Sequence, residues 1–168
     1  GVTADLKSGE AVGTETGSDT LSDVENLRGG SGGDTLSGDD DANVITGGAG
    51  DDLLAGRGGS DTLIGGDGVD TVSYEGEEGS LSVNLADGTA YSSATGADTL
   101  VGIENVVGGA AGDTLVGDDA DNVVSGGAGN DRIRGGSGAD TIDGGLGDDI
   151  LKGQSGDDVI DGDEGDDA

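Results

Sequence analysis

The chain is built on a nine-residue period, and this period restricts what it can fold into. Residues 29–73 divide into the nonapeptides GGSGGDTLS, GDDDANVIT, GGAGDDLLA, GRGGSDTLI and GGDGVDTVS, and the segment from residue 108 divides in the same way. The shared pattern is G-G-x-G-x-D-x-U-x, in which U is aliphatic. So short a period predicts a stack of units that bury an apolar face only against their neighbours.

Within each nonapeptide, positions 1 to 6 favour a turn and positions 7 to 9 favour a short strand. Side chains alternate along a strand, so position 8 is predicted to point inwards and positions 7 and 9 outwards. The position-8 residues are Leu36, Ile45, Leu54, Leu63, Val72, Leu115, Val124, Ile133, Ile142, Leu151 and Ile160. Two nonapeptides would make one coil, so that each turn stacks on the turn two repeats later.

A longer repeat overlies the short one, because a shift of 79 residues aligns the two halves of the chain without a gap. The shift places Leu6 on Leu85, Asp19 on Asp98, Glu25 on Glu104 and Asn43 on Asn122. We interpret this as an internal duplication. The predicted divisions are lead-in strands at 1–28, a repeat run at 29–73, a second lead-in at 74–107, and a second run at 108–168 that stops within a repeat, as a fragment of a longer chain would.

Composition indicates that an apolar core cannot hold this chain by itself. There are 37 acidic and 6 basic residues, a formal net charge of −31, with 40 glycines and no proline, cysteine, methionine, tryptophan, phenylalanine or histidine. Such a composition is typical of disorder unless something else stabilises the fold. The charge argues against nucleic acid and anionic membranes as partners, and no segment is apolar enough to span a bilayer.

The position-6 aspartates point to a divalent cation as the missing stabiliser. In a stacked coil they would form columns at the inter-strand spacing of roughly 4.8 Å, where bare carboxylates repel. Glycine-rich turns would add backbone carbonyls to the same gaps. Calcium accepts six to eight such oxygens in flexible geometry, whereas magnesium demands a tight octahedron and zinc prefers histidine or cysteine.

The motifs GGAGND, GGSGAD and GGLGDD, each followed within two residues by an aliphatic residue, resemble the hemolysin-type RTX repeat of proteins exported by type I secretion. The resemblance implies an all-β fold, a right-handed parallel β-roll or β-helix solenoid with calcium ions between stacked turns. Each ion would bind the carbonyls of positions 2 and 4 and the aspartate of one turn. Carbonyls of positions 1 and 3 and the aspartate of the turn 18 residues later would complete the site.

Carried over by position, the resemblance implies about eight Ca²⁺ sites. In the first run the ligand sets are Gly30, Gly32, Asp34, Gly47, Ala49 and Asp52; Gly48, Gly50, Asp52, Gly65, Asp67 and Asp70; and Asn43, Gly56, Gly58 and Asp61. In the second run they are Gly109, Ala111, Asp113, Gly126, Ala128 and Asp131; Gly127, Gly129, Asp131, Gly144, Leu146 and Asp149; Asn122, Gly135, Ser137 and Asp140; Gly136, Gly138, Asp140, Gly153, Ser155 and Asp158; and Gly145, Gly147, Asp149, Gly162, Glu164 and Asp167.

Some turns depart from the pattern. Asn43 and Asn122 replace the aspartate, and Asp39, Asp118 and Gln154 replace the second glycine, so sites at these turns are expected to be weaker or distorted. The lead-ins are expected to form wider coils that are poor in calcium. In them, Glu25 and Glu104 either cap the first row of ions or face solvent.

Catalysis is not expected within these residues. The carboxylates are copies of one another rather than a distinct acid and base, and neither histidine nor cysteine is present. A flexible Gly/Asp linker without a specific metal site is the alternative for the repeats, although their strict spacing argues against it. Tyr74 and Tyr91 are interpreted as partial strand packing or strand ends rather than as a platform for sugars.

The predicted function is therefore a structural module that folds on meeting extracellular calcium. The resemblance implies that it is part of a larger secreted protein of the toxin, protease, lipase, adhesin or surface-layer type, which the type I secretion machinery would export. The alternative function is calcium-dependent binding of a polysaccharide or cell surface through bridging ions. A third hypothesis is self-association through strand edges that a solenoid exposes at its ends.

Overall fold

The structure, a computed structural model, describes residues 1–13 and 17–168. Regular secondary structure in these ranges consists of β-strands, and no helix there could cross a membrane. The chain divides into two compact units. Unit 1 contains residues 1–72 and 95–103, and unit 2 contains residues 73–94 and 104–168.

Unit 1 contains two rows of hydrogen-bonded strands. In the first row, β1 (Val2–Asp5), β5 (Thr35–Ser37), β7 (Leu53–Ala55) and β9 (Thr71–Ser73) pair in parallel, and β2 (Glu10–Gly13) and β3 (Gly17–Thr20) extend it from β1. In the second row, β4 (Asn26–Arg28), β6 (Val44–Ala49), β8 (Thr62–Asp67) and β12 (Gly96–Val101) pair in parallel.

Unit 2 repeats this arrangement. One row contains β10 (Leu81–Asn84), β14 (Thr114–Val116), β16 (Arg132–Ser137) and β18 (Ile150–Ser155) in parallel, with β11 (Thr89–Ser92) paired to β10. The other row contains β13 (Asn105–Val107), β15 (Val123–Ser125), β17 (Thr141–Asp143) and β19 (Val159–Asp161) in parallel.

The position-8 aliphatic residues form the core, as the alternation predicts. Strand register places them in ladders, for example Leu115 beside Ile133 and Val124 beside Ile142. These four side chains are at most 1% exposed. In the last coil Ile160 is exposed. The repeats therefore form a parallel β-solenoid, and the predicted fold class is confirmed.

The lead-ins add an element that the coil pattern does not contain. β2 runs antiparallel to both β1 and β3, and β11 runs antiparallel to β10. The turns after β1 and β10 are short and contain glycine with positive φ, +71° at Gly9 and +64° at Gly88. Short connections permit antiparallel pairing, whereas parallel neighbours need a longer crossover. The proposed division of the chain into lead-ins and repeat runs stays a prediction.

Candidate metal centre

The position-6 aspartates form hydrogen-bonded columns along each unit. Oδ1 of Asp131 accepts the backbone N–H of Asp113 at 2.7 Å, and Oδ1 of Asp149 accepts that of Asp131 at 2.7 Å. The same bond joins Asp34 to Asp52, Asp52 to Asp70, Asn43 to Asp61, Asn122 to Asp140, Asp140 to Asp158 and Asp149 to Asp167. Each of these carboxylates is therefore oriented by the turn 18 residues before it.

The second carboxylate oxygen has a different environment. Oδ2 is buried and accepts no hydrogen bond in Asp52, Asp61, Asp131, Asp140 and Asp149. Desolvation raises the pKa of Asp61 and of Asp131 to about 6, and it also raises the pKa of Asp140. A buried carboxylate oxygen without a partner is costly, so these oxygens favour a bound cation or a proton.

A backbone carbonyl from the following turn lies beside several of these carboxylates. A Cβ atom added to Gly126, at position 1 of its repeat, would meet both Oδ2 of Asp131 and the carbonyl oxygen of Gly144. The same arrangement places Oδ2 of Asp34 with the carbonyl of Gly47 at Gly29, and Oδ2 of Asp149 with that of Gly162 at Gly144. Because position 1 has no side chain, two oxygens from successive turns share one open space.

This donor set fits calcium by its chemistry. All the converging atoms are hard oxygens, one from a carboxylate and one from a backbone carbonyl, which are the ligands that calcium takes in proteins. Across residues 1–13 and 17–168, no group of three or more Asp, Glu, His or Cys side chains converges on one point. Most ligands of an ion between the turns would therefore be carbonyls, as the repeat pattern predicts.

Other predicted carbonyl ligands also bond to backbone amides of neighbouring turns. The carbonyl of Gly127 accepts the N–H of Leu146 at 2.9 Å, and the carbonyl of Leu146 accepts the N–H of Gly129 at 2.7 Å. A carbonyl oxygen has a second lone pair that remains available to an ion. The structure thus brings Asp131 and Gly144 of one predicted set together, and the complete ligand sets remain a prediction.

Close stacking of the turns explains the glycines at positions 2 and 4. Gly145 has φ of +93° and Gly147 has φ of +133°, and a Cβ on either would meet a carbonyl of the turn below. Non-glycine residues also take this left-handed conformation at position 2, namely Arg57, Gln154 and Asp163 at φ of 67°, 78° and 62°. Sequence reasoning noted only Gln154 among these three departures.

The first turn of each run has its carboxylate satisfied by the protein. Oδ1 of Asp113 accepts the N–H of Leu81 in the lead-in at 2.8 Å, and Oδ2 accepts the N–H of Gly109 at 2.9 Å. Asp34 has the matching bonds from Val2 and Gly30, each at 2.6 Å. The lead-in strand therefore ends the first aspartate column in both units.

Asn43 and Asn122 end the second column in the same way. Nδ2 of Asn122 donates to the carbonyl of Glu104 at 2.7 Å, and Nδ2 of Asn43 donates to that of Glu25 at 2.9 Å. A carboxylate could not make this bond, because it has no hydrogen to donate at neutral pH. The glutamates take part through their backbone carbonyls, and the proposed capping by their side chains stays a prediction.

Sequence reasoning missed one further member of the columns, Asp98, and two asparagines that bond to the adjacent position-7 amides. Oδ1 of Asp98 accepts the N–H of Asp61 at 2.9 Å and continues that column into β12. Oδ1 of Asn26 accepts the N–H of Val44, and Oδ1 of Asn105 accepts that of Val123, each at 2.7 Å. Two signals were present in the sequence: residues 98–100 repeat the D-x-U motif, and the Glu-Asn pair recurs after 79 residues.

A partly exposed ion pair joins the lead-in of unit 1 to its repeat run. Arg57 donates to Oδ1 of Asp5 at 2.8 Å and to Oδ2 at 2.6 Å, and it also donates to the carbonyl of Gly38. These bonds lower the pKa of Asp5 to about 2. Under the 79-residue shift Arg57 falls on Gly136, so unit 2 lacks this pair.

The sequence matches the family model of the RTX calcium-binding nonapeptide repeat at residues 19–54, 28–63, 46–76, 107–142 and 134–168. These matches cover more than half of the chain, and the chain therefore belongs to this family. No curated protein matches it. The matched repeats are thus a calcium-binding structural module, and proteins with this repeat are typically exported by type I secretion.

Proposed function

We propose that this module is disordered at cytosolic calcium and folds when a longer parent protein reaches the extracellular medium. The observation that carries the proposal is the set of buried Oδ2 atoms without a hydrogen bond at Asp52, Asp61, Asp131, Asp140 and Asp149. Folding without a cation would bury these oxygens at a cost in free energy. Calcium binding removes that cost, so binding energy becomes folding energy.

The proposed sites are the eight turn pairs given by the repeat rule, with Asp34, Asp113, Asp131 and Asp149 among their carboxylate ligands. Support comes from the open spaces at Gly29, Gly126 and Gly144, where a carboxylate and a carbonyl of successive turns meet. The turns that begin each run would bind an ion only on the side that faces the next coil. Their other side is occupied by bonds from the lead-in.

Calcium-dependent folding suits export by a type I secretion machinery. A chain that stays unfolded in the cytosol can be threaded through a secretion channel, and one that folds outside cannot slip back. Extracellular calcium modules typically bind at roughly 10⁻⁴ to 10⁻³ M, far above cytosolic calcium. The net charge of −31 supports the same proposal, since it disfavours the compact state until cations bind.

Protease protection tests this proposal. The chain is digested with a nonspecific protease in calcium buffers at roughly 10⁻⁷ M and 10⁻³ M free calcium, with magnesium held constant. We expect rapid digestion at the lower concentration and protection at the higher one. Protection at both concentrations would contradict a folding switch of this range.

A further inference from the structure

The outward charges of unit 2 are sorted by sign onto its two strand rows. Position 9 of four successive repeats is occupied by Arg134, Asp143, Lys152 and Asp161. Successive repeats belong to alternate rows, so the two cations lie in the row of β16 and β18 and the two anions in the row of β17 and β19. We define the cationic face as the outward side of the first row and the anionic face as that of the second.

Register places like charges directly beside each other on each face. Arg134 pairs with Lys152 between β16 and β18, and Asp143 pairs with Asp161 between β17 and β19. All four side chains are on exposed residues. Like charges opposite one another on adjacent strands are destabilising, so neither pair helps the isolated unit to fold.

The repeat fold itself does not require this pattern. Under the 79-residue shift Arg134, Asp143, Lys152 and Asp161 fall on Ala55, Ile64, Ser73 and Ser82, which are uncharged. Among residues 1–13 and 17–168 the ion pairs are Lys7 with Asp40 and Arg57 with Asp5, and neither Arg134 nor Lys152 takes part in one. A protein with 37 acidic residues thus leaves its two aligned cations without an internal ion pair.

The strands of the cationic face themselves carry no carboxylates, and a carboxylate lies at the end of β16, where Ser137 donates to Oδ1 of Asp119 in a turn. The strands β10, β11, β14, β16 and β18 contain no aspartate or glutamate, and Arg132 adds a third exposed cation beside Arg134. The anionic face carries exposed apolar side chains next to its aspartates, with Val123 50% and Val159 64% exposed. The anionic face therefore combines negative charge with exposed apolar side chains, which suits contact with a second protein surface.

We propose that the cationic face of one copy docks on the anionic face of a second copy of this chain. Each face presents two charges at the same inter-strand spacing, so Arg134 and Lys152 of one copy can meet Asp143 and Asp161 of another. Docking would relieve the like-charge repulsion within each face and cover Val159. Because the two faces differ, a docked pair leaves one cationic and one anionic face open, so further copies can add to form a ring or an open chain.

Association through these faces is weak and reversible. Exposed ion pairs contribute little to affinity, and two short strand rows offer less surface than the roughly 800 Å² per partner of a standard interface. The remaining acidic surface also repels a second copy. Calcium reduces that repulsion, and the measurement needs high protein concentration and low ionic strength.

Charge reversal of each face and a mixing experiment test the proposal. Variant X carries Arg134→Asp and Lys152→Asp, and variant Y carries Asp143→Lys and Asp161→Lys. Sedimentation velocity in saturating calcium should show a coefficient that rises with concentration for the wild type and stays constant for X alone and for Y alone. An equimolar mixture of X and Y should regain the rise, because X then supplies anionic faces and Y cationic ones.

The mixture separates docking between faces from effects of net charge, since X and Y change net charge in opposite directions. A wild type that stays monomeric at all concentrations would overturn the proposal, as would a mixture that fails to associate. A monomeric wild type that binds a column of acidic polysaccharide through Arg134 and Lys152 would assign the cationic face to that polymer instead. Circular dichroism of each sample in calcium monitors folding, and a wild type that stays unfolded there would contradict the proposed function rather than the docking.

Discussion

The side-chain amide of Asn122 donates a 2.7 Å hydrogen bond to the backbone carbonyl of Glu104, and it thereby ends a column that continues below it as aspartates. The same bond joins Asn43 to Glu25 in the other unit, at 2.9 Å. Both halves of the duplicated chain keep this arrangement, which indicates that asparagine has a structural role at this position. With aspartate in place of the asparagine, the carbonyl of Glu104 or Glu25 would face a carboxylate that has no hydrogen to donate.

Replacing Asn122 by aspartate tests this role. The new carboxylate would face the carbonyl of Glu104 without a hydrogen to donate, so we expect the calcium-loaded protein to lose about 1 to 3 kcal/mol in its free energy of unfolding. Urea denaturation in saturating calcium measures the loss. The matched control is Asn130→Asp, since Oδ1 of Asn130 accepts the N–H of Asp148 and a carboxylate does so equally well.

Equal stability of the Asn122→Asp and Asn130→Asp proteins would contradict the capping role. An additional bound calcium ion in the Asn122 variant would contradict it also, because it would show that the asparagine stands for a weakened metal site. Counting ions by equilibrium dialysis distinguishes these outcomes.

Substitution of a predicted carboxylate ligand should weaken calcium binding. Asp131→Asn keeps an oxygen that accepts the N–H of Asp113 but removes the charge at Oδ2. Asp131 belongs to two adjacent predicted sites, so we expect the calcium midpoint of folding to rise roughly tenfold or more. Asp157→Asn, on an exposed residue at position 5, is the control and should leave the midpoint nearly unchanged. Equal midpoints for both variants would remove Asp131 from the ligand set.

Turn stacking predicts opposite outcomes for alanine at two glycines of the same repeat position. A Cβ at Gly48, where φ is +123°, would meet the carbonyl of Gly30, whereas a Cβ at Gly30 meets nothing within 4 Å. We expect Gly48→Ala to cost at least about 1 kcal/mol, from backbone strain and the displaced turn, and Gly30→Ala to be neutral or slightly stabilising. Thermal unfolding in calcium compares the two, and similar losses would show that the turns do not stack this closely.

The buried carboxylates predict a pH dependence in the absence of metal. Burial raises the pKa of Asp61 and of Asp131 to about 6 in the folded chain, above the ordinary aspartate value of 3.8. A raised folded-state pKa gives stability that is fully present below about pH 4 and is lost as pH rises through about 6. In chelator, β-structure should therefore increase as the pH is lowered from neutrality through about 6.

Circular dichroism at a series of pH values measures this change, and the double variant Asp61→Asn, Asp131→Asn is its control. The control should show a smaller change near pH 6. A wild-type signal that is constant between pH 7 and 5 would contradict the burial of these carboxyl groups in a metal-free roll. Protons and calcium compete for the same oxygens, so the calcium midpoint should also rise below about pH 6.

The repeated coil could be predicted from the sequence, because the nine-residue period of aliphatic residues directly indicates a stack of identical units. Leu115, Ile133 and the other position-8 residues recur every nine positions, and two strands per coil follow from the way successive turns must stack. Local periodicity cannot report partners that lie outside the run. The bonds from Leu81 to Asp113 and from Asn122 to Glu104 join a repeat to a lead-in without its own period, and only the structure brings them together.

The antiparallel strands of the lead-ins were unpredictable for a related reason. Their alternation of apolar residues fits a strand in either direction, and direction is decided by the short turns at Gly9 and Gly88. Arg57 was equally hidden, because its role depends on Asp5, which lies 52 residues earlier in the chain. The repeat pattern has glycine at position 2, where Arg57 lies, and gives no indication that this residue forms an ion pair.

The most direct test of calcium-dependent folding is a far-UV circular dichroism titration of the wild-type chain. Calcium is added to the chelator-treated protein from micromolar to tens of millimolar, with magnesium and with sodium chloride at matched ionic strength in parallel. We predict a cooperative gain of β-structure with calcium alone, because only calcium accepts the mixed carboxylate and carbonyl oxygens of the stacked turns. A chain that is already folded in chelator, or that folds equally with magnesium or sodium chloride, would contradict specific calcium sites and leave general charge screening as the stabiliser.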